Sequence, residues 1–138
     1  MIRKISLMLL LAGLIGCGGA KTYPVEGTVI FKETGQPAKE LAGYSVSTES
    51  EKAGDDGKKY SGSGQITPEG TFKISTFAAN DGLMVGKHLV AISPPVPTGD
   101  GPPPKALIPG RYGDLGTSGL TITVESGKAQ PKLEVSKK

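Results

Sequence analysis

The only cysteine of this 138-residue chain, Cys17, stands in Leu14-Ile15-Gly16-Cys17-Gly18-Gly19, at the foot of an apolar run near the N-terminus. A lone thiol cannot close an internal disulfide, so the chemistry open to it is nucleophilic: alkylation to a thioether, or pairing with another molecule. His88, the only histidine, would have to be the general base of any serine hydrolase built here, since that constellation sets an imidazole between a hydroxyl and a carboxylate. Its place in an alternating strand beside Val90 and Ile92 argues instead for a packed side chain. Asp55-Asp56-Gly57 and Asn80-Asp81-Gly82 offer oxygen ligands, yet calcium takes about six to eight oxygens at ordered spacing. Asp-Gly pairs are first of all turn formers. No catalytic residue, cofactor or metal site is expected from these groups.

The residues before Cys17 supply its context. Arg3 and Lys4 precede Ile5 to Gly16, an apolar run whose only polar side chain is Ser6. A basic head, an apolar segment of about 7 to 15 residues and small residues at its end form the layout of a secretory signal peptide. A spanning helix needs about 20 apolar residues, and Cys17-Gly18-Gly19-Ala20-Lys21 ends the run too early. The ending resembles a bacterial lipobox, with Leu14, Ile15 and Gly16 in its first three places and Cys17 in the fourth. The resemblance implies that the Cys17 thiol takes a diacylglyceryl group, that the peptide bond before it is cut, and that the new amino terminus is acylated. One acyl chain anchors only marginally, while two or three hold firmly, each buried methylene contributing about 0.8 kcal/mol. The expected organisation is a lipoprotein signal peptide over 1–16, a lipidated tether over 17–23 and one domain over 24–138. Gly18 in place of Asp after the cysteine resembles the outer-membrane sorting pattern of many diderm bacteria. The expected location is therefore the cell-envelope membrane, most of all the outer one, on a periplasmic or surface face.

Loss of Arg3 and Lys4 with the signal would lower the formal charge from +3 to +1. Nucleic-acid binding needs a clustered basic footprint with base-reading groups, and none is present, so no nucleic-acid partner is expected. Lys58-Lys59 and Lys137-Lys138 read as solvated. The domain is large enough for one modest core, built with no Trp and 5% aromatic residues.

From Pro24 onward the pattern alternates with period 2 and is broken by Gly and Pro, which predicts strands. Val25, Gly27, Val29 and Phe31 share one face of a first strand. Tyr44 to Glu49 alternates again, and a charged, glycine-rich connection follows. Two strands flank Thr67-Pro68-Glu69-Gly70, which reads as the tight reversal of a hairpin, with Phe72, Ile74 and Thr76 on one face of the second. Gly86 to Ser93 places His88, Val90 and Ile92 together. Leu120, Ile122 and Val124 form another inward row, and Leu133 with Val135 a last one. Six or seven short strands separated by turns predict a β-sandwich, and no segment has helical periodicity.

The succession VEGTVIF, GSGQITPEGTFKISTF, NDGLMVGKHLVAI and IPGRYGDLGTSGLTITVESGK resembles the small bacterial lipoproteins with a transthyretin-like, or carboxypeptidase regulatory-like, domain. The resemblance covers nearly all of residues 25–136. It rests on Gly27-Thr28-Val29, Gly70-Thr71-Phe72, Asp81-Gly82, Gly86-Lys87, Pro109, Tyr112 and Ser118-Gly119-Leu120. Departures fall at Glu40-Leu41-Ala42-Gly43, where a proline-led second strand is usual, and at His88, where an aromatic is usual. The implied fold is an all-β, seven-stranded Greek-key sandwich of the transthyretin-like (prealbumin-like) kind. Such domains are mostly non-catalytic. The transthyretin-like hydrolases of purine breakdown use several histidines and a Tyr-Arg-Gly-Ser tail, whereas this chain has one histidine and ends Val135-Ser136-Lys137-Lys138. An isopeptide bond between first and last strands, as in pilin-like relatives, lacks its asparagine, because the only one is Asn80.

Ser93 to Pro109 holds seven prolines, which withhold ladder donors and favour extended polyproline geometry. With its continuation to Ser118 the connection exceeds the roughly 12 to 15 residues beyond which a structureless loop is usually functional or disordered. It reads either as a stiff connection between two strands or as a recognition loop, Pro94–Pro109, for an envelope protein or polysaccharide. The expected function is a non-enzymatic binding or structural module, held to membrane lipid through acylated Cys17. A carbohydrate-binding module is the alternative, for which Tyr23, Tyr44, Tyr60 and Tyr112 would have to supply a flat platform. A hydrolase using His88 is the weaker third.

Overall fold

The computed structural model describes residues 21–138. The signal segment, Leu14, Ile15, Gly16 and Cys17 lie outside the described residues. Nine strands follow one another: β1 (Thr22–Tyr23), β2 (Glu26–Phe31), β3 (Ser45–Ser50), β4 (Ser61–Gln65), β5 (Thr71–Lys73), β6 (Leu83–Met84), β7 (Gly86–Ser93), β8 (Leu120–Val124) and β9 (Lys132–Val135). Helical structure among the described residues is confined to two 3-10 turns, Lys39–Leu41 and Gly110–Gly113. The protein is all-β.

Alternation drives the assembly, because a strand with one apolar face must bury that face. In β2 the buried residues are Gly27, Val29 and Phe31; in β3, Val46, Thr48 and Ser50; in β8, Leu120, Ile122 and Val124; in β9, Leu133 and Val135. Strands β5, β2 and β9 form one sheet in that order, and β4, β3, β7 and β8 the other. All pairs are antiparallel except β2 with β9, where Val29 stands beside Leu133 and Phe31 beside Val135. Inward residues of both sheets join one sandwich-like core whose largest buried side chains are Tyr112, Phe72 and Leu41. Each buried aliphatic or aromatic side chain contributes about 1.5–3 kcal/mol relative to exposure. Close packing also constrains the small residues: the Phe72 ring covers Gly27 across the β2–β5 pair, where any side chain would collide with it.

Three expectations are revised. Tyr23 belongs to the fold and not to the tether, because Thr22 pairs with Met84, Tyr23 pairs with Leu83, and Tyr23 packs against the core. A two-residue ladder has no periodicity to read. The strands flanking Thr67–Gly70 belong to different sheets, β4 beside β3 and β5 beside β2, and are bridged by Ser63–Ser75, just past β5. The turn therefore carries the chain from one sheet to the other. Before β3, Lys39–Leu41 is a 3-10 turn that buries Leu41, so the strand begins at Ser45.

Strand directions sort the connections onto two ends. Residues 51–60, 74–82 and 125–131 lie at one end, together with the entry of the chain at Lys21–Tyr23. Residues 32–44, 66–70 and 94–119 lie at the other, with the C-terminus, where Lys138 N–H donates to the Leu107 carbonyl at 3.0 Å.

Candidate functional site

The far end carries the proline-rich segment. Pro94 to Lys105 are twelve consecutive exposed residues, and no hydrogen bond ties Pro94–Ala106 to the rest of the described chain. Six of its thirteen residues are prolines, which carry no N–H to donate. Both flanks are held fast. On one side β7 sits in the centre of the four-stranded sheet. On the other, Ile108 is buried in the core, Leu107 N–H donates to the Tyr44 hydroxyl at 3.4 Å, and buried Tyr112 follows in a 3-10 turn. The Tyr112 hydroxyl in turn accepts the Ser136 N–H at 3.0 Å and the Arg111 guanidinium at 2.9 Å. The segment is thus an exposed loop, bent at Gly99–Gly101, between two buried posts.

The near end carries an exposed aromatic on a pinned turn. Asp81 accepts the backbone N–H groups of Thr76 at 2.7 Å, Phe77 at 3.0 Å and Ala78 at 3.1 Å. Burial acts to raise its carboxyl, but these donors outweigh it and hold the pKa below the ordinary aspartate value. The turn holds Phe77 outward, 55% exposed, with the Tyr60 ring against it edge-on at 5.4 Å. The Tyr60 hydroxyl donates to Asp56, which lowers the Asp56 pKa and raises that of the phenol. Val85, 60% exposed, lies between β6 and β7 at the same end. Reasoning from the sequence missed Phe77 and Val85. Phe77 had a legible signal, since it falls out of phase with the inward row Phe72, Ile74, Thr76.

His88 is buried, and its Nε2 lies 2.8 Å from the Met84 carbonyl. A carbonyl can only accept, so Nε2 carries a proton. Nδ1 has no partner. Ser50 faces His88 across the β3–β7 pair, but its Oγ is engaged with the backbone of Tyr60. Neither ring nitrogen is held by a hydroxyl or a carboxylate. Beside His88 a cleft of about 320 Å³ is lined by Ser50, Glu51, Gly54, Val85 and Lys87, with Lys87 Nζ 3.1 Å from Glu51.

The remaining candidates are dispersed. Tyr44 and Tyr112 are buried, Tyr23 lies under the Lys21 ammonium at 5.2 Å, and Tyr60 meets Phe77 at 71°, so the tyrosines make no flat platform. Asp56 and Asp81 spend their oxygens on their own turns, Asp56 accepting Lys58 N–H at 2.9 Å. Among the described residues no three His, Cys, Asp or Glu side chains converge as metal ligands. No described helix is long and apolar enough to cross a membrane. Comparisons with protein families, curated proteins and solved structures return no match to this chain.

Proposed function

We propose that the chain is an exported lipoprotein, anchored through acylated Cys17, whose transthyretin-like Greek-key sandwich is a non-enzymatic module of the cell envelope that presents Pro94–Ala106 to a partner. One observation carries the presenting role: twelve consecutive exposed residues without a hydrogen bond stand on two buried posts, at the end of the sandwich opposite the N-terminal entry. An anchored domain of this build holds the segment away from the lipid. Extended proline-rich chain is recognised in aromatic-lined grooves, because its conformation is set before binding and little entropy is lost. The partner class that fits is therefore an envelope protein with such a groove.

Photo-crosslinking in intact cells tests this reading. A photoreactive side chain at Val96 should give a discrete protein adduct, and one at exposed Thr121 on the outer sheet face should not. Replacement of Pro94, Pro95, Pro97, Pro102, Pro103 and Pro104 by glycine should abolish the adduct while the domain stays folded. No adduct from Val96, or an adduct indifferent to the prolines, would overturn the presenting role.

A further inference from the structure

The end of the sandwich opposite the proline-rich segment combines exposed apolar side chains with the entry of the chain. Phe77 and Val85 are more than half exposed there, and the Phe77 turn is pinned outward by Asp81. The 51–60 connection beside them carries Lys52, Lys58 and Lys59 together with Asp55 and Asp56, so the charge of this end is mixed. The chain enters the fold at this same end, where Thr22–Tyr23 pair with Leu83–Met84, immediately before Val85.

We infer that this end rests on the bilayer, with Phe77 and Val85 seated at the level of the lipid headgroups. The inference rests on the reading of Cys17 as the lipidated residue. From Cys17 to Thr22 there are five residue steps, and an extended chain spans at most about 3.6 Å per step, or about 18 Å. The eight residues of β7 already extend about 26 Å at the usual rise per residue. The anchor cannot reach past the sandwich to its far end, so the near end is the one turned to the lipid. An acylated terminus on so short a leash holds Phe77 and Val85 at high effective concentration at the surface. Exposed apolar side chains inside a rim of mixed charge suit an interface whose depth is apolar and whose headgroups are polar. The lipid surface thus accounts for an aromatic side chain held out to solvent by a built turn.

The chain has no tryptophan, so single tryptophans report position directly. Full-length acylated protein carrying Phe77→Trp, Val85→Trp or Val96→Trp is reconstituted into vesicles of phosphatidylethanolamine and phosphatidylglycerol, with and without bromine on the acyl chains. Flotation with the vesicles reads the anchor; bromine quenching reads the contact. Phe77→Trp and Val85→Trp should emit at shorter wavelength with vesicles than in detergent and be quenched several-fold more than Val96→Trp. Flotation with equal quenching at all three positions, or with none at Phe77 and Val85, overturns the inference and leaves the anchor intact. A blue shift at Phe77 that bromine does not quench assigns the patch to a protein and overturns it as well. Failure to float, with unmodified Cys17 by mass spectrometry, removes the anchor and the inference together. Two exposed positions keep the test independent of any single substitution that perturbs folding.

Discussion

The carboxylate of Asp81 accepts the N–H of Phe77 at 3.0 Å, so the residue that turns the chain between β5 and β6 also fixes an exposed aromatic side chain. A turn former and a surface feature are one structural unit. The same carboxylate accepts the N–H groups of Thr76 and Ala78, so three successive amides of the loop converge on one side chain.

Asp81→Asn should destabilise the domain by about 1 kcal/mol at neutral pH, because an amide keeps one acceptor oxygen and loses the charge from a half-buried set of hydrogen bonds. The folded pKa is depressed by the three N–H donors against the opposing effect of burial. The stabilisation is therefore whole above the unfolded value of 3.8 and fades as pH falls through the folded value. Urea unfolding of both proteins at neutral pH and in strong acid checks it: the gap between them should close in acid. A gap that widens in acid would reverse the assignment.

Gly82→Ala should cost about 3 kcal/mol, combining the strain of a left-handed backbone with overlap in a packed site. Gly82 has φ of 89°, and a Cβ there would run into the Tyr23 carbonyl. The loss should appear as weakened protection of the β1–β6 pair in amide exchange, ahead of the main sheets. Unchanged exchange at Tyr23 and Leu83 would show that the ribbon contributes nothing to the fold.

His88→Phe should remain folded, with stability within about 1 kcal/mol of the parent. The change removes a buried, partnerless Nδ1 and also the bond from Nε2 to the Met84 carbonyl, two effects of opposite sign. Thermal unfolding measures the balance. Any hydrolytic activity found in the parent should survive the substitution; its disappearance in a folded variant would reinstate the imidazole as a catalytic group.

Cys17→Ser should leave the precursor uncut and unacylated, since a hydroxyl cannot form the thioether on which the lipobox resemblance depends. Residues 18–138 behind an ordinary cleavable signal should be soluble and unfold as cooperatively as the acylated protein. Mass spectrometry of the wild type decides the chemistry: a signal cut anywhere except before Cys17 contradicts the assignment.

Sequence by itself determined the strands that bury one face. In β2, β3, β7, β8 and β9 the period-2 rows are legible because alternation is the direct imprint of a half-buried sheet. It also determined that Pro94–Pro104 joins neither sheet, since proline fixes its own backbone angle and withholds a donor wherever it stands. Tertiary structure alone decided the rest. Strands β1 and β6 have two residues each, too short for any period, and exist because each meets the other. The crossing of the chain between sheets at Thr67–Gly70 and the parallel neighbours β2 and β9 are relations between distant segments, which local pattern does not encode. The placement of Phe77, Val85 and the N-terminal entry at one end, with the proline-rich segment at the other, follows from strand direction summed over the whole sandwich. Such an arrangement is a property of the whole topology and of no single stretch of the chain.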